Sequence, residues 1–536
     1  MNTKLIIFSA FLLLAFLLQC AIIAPPTYIS DRGPVIRIGI AEKLDSITWV
    51  ADGSIDIYDQ NEQQIAGGLR GNKWRVTVEN SAPVNLHYGL LYREVYYPEV
   101  ANRLASELEQ RGFQTITKTV SKNLFKDGKF GQVTSYQILL NTVFDSEKAA
   151  KSHQQSIQKN ISTTILSFLE KRPVGEVILV NEETGVRFSS RGFIRVRGKL
   201  FTIQVKIGQG FHFEGDAERT YKDQLEFWLD RFGKITVVNI LPLEEYLKGV
   251  VGSEMHPEFP LEALKAQAVT ARGYSLARIG KQHRLEPFDL CDEVHCHVYG
   301  GVKKESPLVN EAVTQTHGQI LMYNGNICDT FYAGVCGGHT ENNENVWNGE
   351  PQPFLRGTFD SPHSSRLPVD FLLDEGRVRQ WIESSPDVFC NTTKSVVPDA
   401  LNYTKKYFRW QVRYTREELS RIISKKTGQN IGSVNQIVPI ERGVSGRLKK
   451  IEIRGSNKTI TVEKELEIRK ALSPNYLYSS CFVVDRERND FIFKGAGWGH
   501  GVGMCQTGAA MMALKGQKYR QILSHYYQNA NIQSLY

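Results

Sequence analysis

The sequence predicts a multidomain α+β protein, and three observations predict it. Apolar and polar residues alternate with period two through 34–80 and again after 191. Strand, helix and strand follow one another twice over 84–172. From 191 to the end, strands are mixed with alanine-rich helices. At 536 residues the chain has room for two to four domains, and an apolar share of 41% is ample for their cores.

The N-terminus comes first. Lys4 is followed by LIIFSAFLLLAFLLQC, an uncharged apolar run of secretory length that ends at Cys20. It is short for a stable span. Residues 1–24 are therefore expected to be a signal peptide or a membrane or lipid anchor. Lipidation of Cys20 is one route, although Gln19 is bulkier than the residue that usually precedes a processed cysteine, and an uncleaved anchor is the other. The protein is expected to be exported, to the periplasm or cell envelope, and to meet a membrane only through this segment.

Formal net charge is +8 and the pI is near 8.9. That suits an anionic partner such as a cell-wall polymer. Nucleic acid is not expected, because no basic stripe interleaved with aromatics is present. Export also changes how the eight cysteines are read. Outside the cytoplasm, Cys328 with Cys336, or Cys390 with Cys481, would be disulfides or inert buried thiols. Cys505 receives no role.

VIRIGIAE, SITWVADGSIDIYD and KWRVTVEN alternate around Gly and Asp turns and read as a small antiparallel β unit over 34–80. Next, LHYGLLYRE, YPEVANRLASELEQRG and FQTITKTV form a strand–helix–strand unit. Its helix carries Val100, Leu104 and Leu108 on one face, with Gly112 as its stop. A second such unit follows from SYQILLNTV, which suggests an internal repeat. The strand Tyr136-Gln137-Ile138 and the helix start Asp145-Ser146-Glu147-Lys148-Ala149 resemble a SPOR-type peptidoglycan-binding domain over 84–172. A plain α+β packing domain fits the same pattern.

The chemistry is concentrated in LPLEEYLKGVVGSEM and PLEALKAQAVTAR. The first reads as a short helix broken by Gly252-Ser253, leaving Glu254 on a turn. Pro260 then opens a second helix that places Leu261, Leu264, Ala268 and Ala271 on one face, with Lys265 and Arg272 projecting from one side. A carboxylate screened by apolar neighbours such as Met255 is expected to hold its proton and act as an acid. Capping the second helix or pairing with Arg272 are the structural alternatives for Glu254.

These two segments, then CDEVHCHVYGG, CGGHTENNENVWNGEPQPFLRG and GAGWGHGVGMCQTGAAMMA, occur in this order. Together they resemble the stage II sporulation protein D (SpoIID) and LytB family across 191–536, with core motifs at 236–360 and 490–515. The resemblance implies a peptidoglycan lytic transglycosylase whose catalytic residue, the Glu of S-E-M, is Glu254. It also implies an alternative, since some relatives are enhancers of a partner N-acetylmuramoyl-L-alanine amidase. The implied partners are peptidoglycan glycan strands and such an amidase. No cofactor is required for the chemistry. The Lys and Arg of the family's helix fall on Lys265 and Arg272, which are expected to hold substrate oxygens or orient Glu254.

Further substrate contacts are expected from Tyr332, which would stack on a sugar or fill core, and from Gly337 and Gly338, which would let backbone approach a sugar. Where relatives carry small polar residues after the Tyr, this chain has Ala333-Gly334-Val335. Glycines at 495, 497, 499, 501 and 503 alternate and would clear one face of a strand or loop for a glycan or for packed backbone, with Trp498 and His500 on the other face. Trp498, His500 and Gln506, which begins the helix that follows, are expected to contact the substrate, with Trp498 plugging the core and His500 serving as a structural histidine as the alternatives. Cys291, His295 and Cys296, with His283 upstream, offer two thiolates and two imidazoles to a structural zinc. A Cys291–Cys296 disulfide is the rival reading. The resemblance implies zinc through two Cys and two His here, and His297 stands where relatives carry Gln.

Overall fold

Strand alternation does build a sheet in the N-terminal half, but the sheet is assembled from distant parts of the chain. The computed structural model describes residues 29–30, 33–71, 73–95, 97–126, 129–208, 214–347, 349–362, 368 and 370–536. The leader expected over 1–24, with Cys20, lies outside the described residues. Among the described residues no helix is long and apolar enough to cross a membrane.

The chain enters through β1 (Gly33–Leu44), β2 (Ser46–Asp52) and β3 (Lys73–Glu79). It then passes through β4 (Leu86–Val95), α1 (Pro98–Gln110), β5 (Thr115–Lys126), β6 (Lys129–Phe144), α2 (Glu147–Ile157) and β7 (Thr164–Leu169). It returns with β8 (Glu176–Asn181), β9 (Arg187–Arg191), β10 (Phe193–Ile207), β11 (Gly215–Leu229) and β12 (Ile235–Pro242).

The path of the large sheet runs β1-β12-β11-β10-β2-β3-β8-β9. Residues 34–80 therefore do not close a unit of their own. Strands β1 and β2 pair antiparallel with β12 and β10, more than 140 residues downstream, as in Ile38↔Asn239 and Val50↔Thr202. The physical reason is that so few strands leave unpaired edges and one bare apolar face. The added strands cover both. Trp49 is the hub of the core, with ring centroids 5.9 Å from Trp74, 5.6 Å from Phe201 and 5.7 Å from Phe227.

The inserted segment has the element order βαββαβ, and its strands lie in the order β7-β4-β6-β5, all neighbours antiparallel. This is the split βαβ arrangement. Each half supplies a strand and a helix, so the two similar sequence units interleave instead of standing as tandem repeats. Leu90, Ala101, Leu108, Ile138, Leu140 and Ile161 form its core, with Leu104 packed against them.

After β12 come α3 (Leu243–Glu254) and α4 (Leu261–Arg278), then β13 (Leu290–Cys291), which joins β1 in parallel. Further on, β14 (Tyr332–Ala333) pairs in parallel with β15 (Met504–Cys505), and α5 (Gln506–Leu514) follows at once. Between β14 and β15 the chain builds a region with its own core, in which Trp410, Leu419, Ile423, Ile451, Ile453 and Phe493 are buried together. The chain folds as two compact units. One takes the chain through Lys206 together with Asp216–Tyr246 and Arg278–Lys303; the other takes Ile207–Gly215, Leu247–Ala277 and Lys304–Tyr536.

One buried ion network crosses the large sheet. Glu226 is fully buried and bonded to Arg37, to Arg195 at 2.6 Å and to the Trp228 indole. Burial alone would raise its carboxyl, but Arg37 and Arg195 outweigh that and hold it below the usual range. Its stabilising share is then complete above the unfolded-state carboxyl value, near pH 4–5, and lost as pH falls below it. Glu226→Gln is expected to remove about 3–5 kcal/mol at neutral pH and to flatten the acid limb of stability, as read by denaturant unfolding across pH.

Candidate functional site

The sequence suggested that α3 breaks at Gly252-Ser253, but the helix runs through Glu254 and ends there. Gly252 stays helical because space, not flexibility, demands glycine: a Cβ would lie 2.0 Å from the Lys304 carbonyl oxygen. Ser253 Oγ donates back to the Gly249 carbonyl at 2.7 Å, the usual way a serine is accommodated in a helix. Glu254 is half-buried, and Met255 beside it is buried.

A helix end leaves carbonyls that need donors. For Glu254 the donor is Gln506, whose Nε2 lies 3.0 Å from the Glu254 carbonyl oxygen and 3.3 Å from Gln267 Oε1. Gln506 is the first residue of α5 and directly follows β15. The main chain of Glu254 is thus tied to the strand pair that carries Tyr332, whose Cα partner is Met504.

Helix α4 was expected to be amphipathic, yet Ala263, Leu264 and Ala266 through Ala277 are all buried. Small residues permit this, since a Cβ at Gly273 would lie 2.7 Å from Thr330 Oγ1. Ser275 Oγ donates to the Ala271 carbonyl within the helix at 2.8 Å, and from outside it Thr330 Oγ1 donates to the Thr270 carbonyl at 2.7 Å. Arg272 does not project from the surface. Its exposure is 0%, and Nη1 donates to the Gln319 carbonyl at 2.9 Å and that of Ala268 at 3.4 Å. A guanidinium held there has no surface to offer a saccharide. Lys265 pairs with Glu262 at 2.9 Å and lies over the Tyr519 ring. Burial opposes the charge on Glu262, but the Tyr519 N–H and Lys265 hold its carboxyl below the ordinary range.

The glycines also differ from expectation. Gly337 and Gly338 have φ of 81° and 108° and are buried. A Cβ on Gly338 would meet the Trp381 ring at 2.6 Å, and one on Gly337 would meet the Ala496 backbone at 3.0 Å. Protein, not sugar, occupies the space they clear. The alternating glycines of 497–503 do not form a strand face; Gly497, Gly499, Gly501 and Gly503 all take positive φ. Their period of two comes from a winding loop in which every second residue is left-handed. Between two of them threads Arg447, a residue the motif reading missed. Its guanidinium is buried and donates to the Cys336 carbonyl at 3.2 Å and the Gly499 carbonyl at 3.3 Å.

Side chains of the same loop make an aromatic group. Trp498 is half-buried and stacks on Tyr407 at 4.3 Å. His500 lies 4.8 Å from the Trp347 ring, its Nδ1 accepting from the Val502 N–H at 3.0 Å, and Trp347 stacks on Phe331 at 4.1 Å. Trp347 and Tyr407 were not singled out from sequence, although Trp347 stands within the quoted ENNENVWNGE run.

In the other unit, the CDEVHCHVYGG loop is pinned to the large sheet. Buried Arg219 bonds Asp292 at 2.6 Å and the Tyr299 carbonyl at 2.8 Å, and Tyr299 Oη donates to Asn239 at 3.0 Å. The ligand atoms of His283, Cys291, His295 and Cys296 come within 4.8 Å of one another. Separations include His283 Nε2 to Cys296 Sγ at 3.3 Å, Cys291 Sγ to His295 Nδ1 at 3.7 Å and Cys296 Sγ to His295 Nδ1 at 3.6 Å. Zinc bonds of about 2.3 Å to sulfur and about 2.0 Å to nitrogen give tetrahedral edges of about 3.5 Å. The residues fit the ion. His297 faces elsewhere, buried against Tyr246, and burial drives its imidazole down to about 3.

All seven described cysteines are free and buried. Neither Cys328–Cys336 nor Cys390–Cys481 pairs, and the four are buried thiols, the other of the two expectations. Cys336 lies beside Cys390, with Sγ atoms 3.5 Å apart, while Cys481 contacts the Ser445 carbonyl.

Comparison with known proteins agrees with the motif order. Residues 231–323 match a family described as "Stage II sporulation protein", and 341–503 match a "Domain of unknown function (DUF8618)". An uncharacterised protein of Brachyspira hyodysenteriae is 33% identical over 356 residues, covering 66% of this chain and 82% of that protein. The amidase enhancer of Bacillus subtilis is 27% identical over 54% of this chain and 40% of its own length. Stage II sporulation protein D of the same bacterium is 29% identical over 55% and 75%. The chain belongs to the SpoIID/LytB family.

Gly503 has a φ of 71° and would put a Cβ 2.0 Å from the Phe331 carbonyl oxygen. Gly503→Ala is expected to destabilise the protein by about 1–3 kcal/mol or more, read as a lowered denaturation midpoint, whereas Gly349→Ala, with no atom near its Cβ position, should leave it unchanged.

Proposed function

We propose that the protein is an exported peptidoglycan lytic transglycosylase in which Glu254 is the general acid and then the general base. Family membership supports the coarser statement, a cell-wall-related role in the envelope or outside the cell. The observation that carries the finer one is the setting of Glu254: a half-buried carboxyl at the last residue of α3, its main chain clamped by Gln506. A helix C-terminus disfavours added negative charge, which suits a group that must start protonated.

The chemistry needs one carboxyl used twice. Glu254 gives its proton to the bridging oxygen as the bond from C1 of N-acetylmuramic acid breaks. The resulting carboxylate takes the proton of the muramyl 6-hydroxyl as that oxygen closes on C1, giving a 1,6-anhydro end without water. Most glycosidases instead use two carboxyls, because water must be activated or an intermediate formed. Acid–base help of this kind is worth about 3–5 kcal/mol of barrier. Positioning supplies more, and here it falls to Gln506, with Arg272 acting through α4. The half-buried rings of Trp498, Tyr332 and Trp347 suit stacking on pyranose faces. The βαββαβ segment over 84–172 would add wall binding.

A second reading is that the chain enhances a partner amidase, as supported by its similarity to the amidase enhancer. The two separate in a product assay on purified glycan strands, with and without stem peptides. The enzyme reading expects anhydromuramyl ends by mass spectrometry, lost by about 10²–10⁴-fold in Glu254→Gln. It also expects Gln506→Ala to lower kcat more than it raises KM. No anhydro product from wild type, with amidase stimulation that survives Glu254→Gln, would favour the enhancer.

The zinc belongs to the same proposal. His283, Cys291, His295 and Cys296 would hold it, and four protein ligands leave no open position, so its contribution would be to folding of the loop and not to chemistry. Cys291→Ser is expected to lower the metal content by one ion per chain and the thermal midpoint of unfolding. A Cys291–Cys296 disulfide found by peptide mapping would exclude the ion.

A further inference from the structure

Away from the first metal-ligand set, three more cysteines converge. Cys336 precedes Gly337-Gly338, Cys505 ends β15, and Cys390 with Asp360 comes from the 341–503 segment. All four side chains are at least 97% buried, and their ligand atoms lie within 4.8 Å of one another. Cys336 Sγ is 3.5 Å from Cys390 Sγ and 3.2 Å from Asp360 Oδ2.

We propose that Cys336, Asp360, Cys390 and Cys505 form a second, structural zinc site that fastens the 341–503 segment to the strand pair β14–β15. Three soft sulfur donors and one carboxylate oxygen make a set that selects zinc over magnesium or calcium. Zinc bonds of about 2.3 Å to sulfur and about 2.0–2.2 Å to oxygen require ligand edges of about 3.4–3.8 Å, close to those present.

The surroundings are arranged for thiolates. Main-chain N–H groups of Cys336 and Gly508 point at Cys505 Sγ from 3.2 and 3.4 Å, and that of Gly338 points at Cys336 Sγ from 3.4 Å. Cys505 is also the N-cap of α5, where a helix favours negative charge. Asp360 is oriented as a ligating carboxylate would be. Its Oδ2 accepts from the Cys390 N–H at 3.1 Å, and its Oδ1 accepts from Tyr526 Oη at 2.6 Å. With a divalent ion the set carries a net charge of about −2. Two nitrogen-bearing side chains stand beside it: His525, whose Nε2 is 3.6 Å from Asp360 Oδ1, and Arg409, whose Nη1 donates to the Gly337 carbonyl at 3.1 Å. Both have a buried nitrogen, His525 Nε2 and Arg409 Nε, without a hydrogen-bond partner. A simple packed core would give no reason to bury an acid and three thiols together.

The site has a consequence for Glu254, because Cys505 is the residue before Gln506. An ion at Cys505 would fix the start of α5 and through it the clamp on the Glu254 carbonyl.

The test is zinc-edge anomalous diffraction on crystals of the wild-type chain, with metal analysis in solution. An anomalous peak among the four residues is expected, and Cys390→Ser/Cys505→Ser should bind one zinc ion fewer than wild type, while Cys328→Ser should bind as many. Absence of a peak there, or a sulfur–sulfur bond joining Cys336 to Cys390, overturns the proposal, and the crystallographic result decides even if the double variant does not fold.

Discussion

The hydrogen bond from the Gln506 amide to the main-chain carbonyl of Glu254 is the constraint on which the candidate site rests. It joins residues 252 positions apart. On one side, Glu254 ends a helix whose last turn would otherwise present a bare carbonyl. On the other, Gln506 begins a helix whose direction is set by β15, and β15 is held by β14. The position of the acid is therefore a property of two remote motifs meeting. Each motif supplies one end of that bond, so the main chain at Glu254 is fixed only when the two come together.

Arg447 does for the loops what Gln506 does for the helix. A buried guanidinium between Cys336 and Gly499 would be costly without acceptors, and the two loops supply their carbonyls. The glycines follow from this, because the space a side chain would take at Gly501 is the space the guanidinium occupies, 2.4 Å away. At Gly501 the repetition that looks like room for a ligand is the imprint of an arginine, and at Gly503 it makes room for the Phe331 carbonyl.

Where the sequence reading and the structure differ, the failures share a cause. The resemblance drew attention to Glu254, and the short spacing of Cys291, His295 and Cys296 drew attention to the Cys/His loop, whose ligand atoms the structure does bring together. The mixed α+β class followed from periodicity. Sheet membership did not, because pairing between β1 and β12 leaves no trace in either strand's own alternation. Helix α4 misled for a related reason: its alanines were legible as a packing face, but an arginine and short polar side chains look like an exposed face until a fold surrounds them. Arg447 and Asp360 are single residues in unremarkable stretches. Nothing near them in sequence announces that they will stand beside Cys336.

The two compact units draw on the chain alternately, with crossings after Lys206, Gly215, Tyr246, Ala277 and Lys303. Neither unit is a contiguous piece of polypeptide. A ribosome that has finished the first two hundred residues has not yet made β11, β12 or the cysteine–histidine loop, so the N-terminal sheet must wait, incomplete, for much later synthesis. Until β10 and β12 arrive, β1 and β2 lack the partners that close their edges.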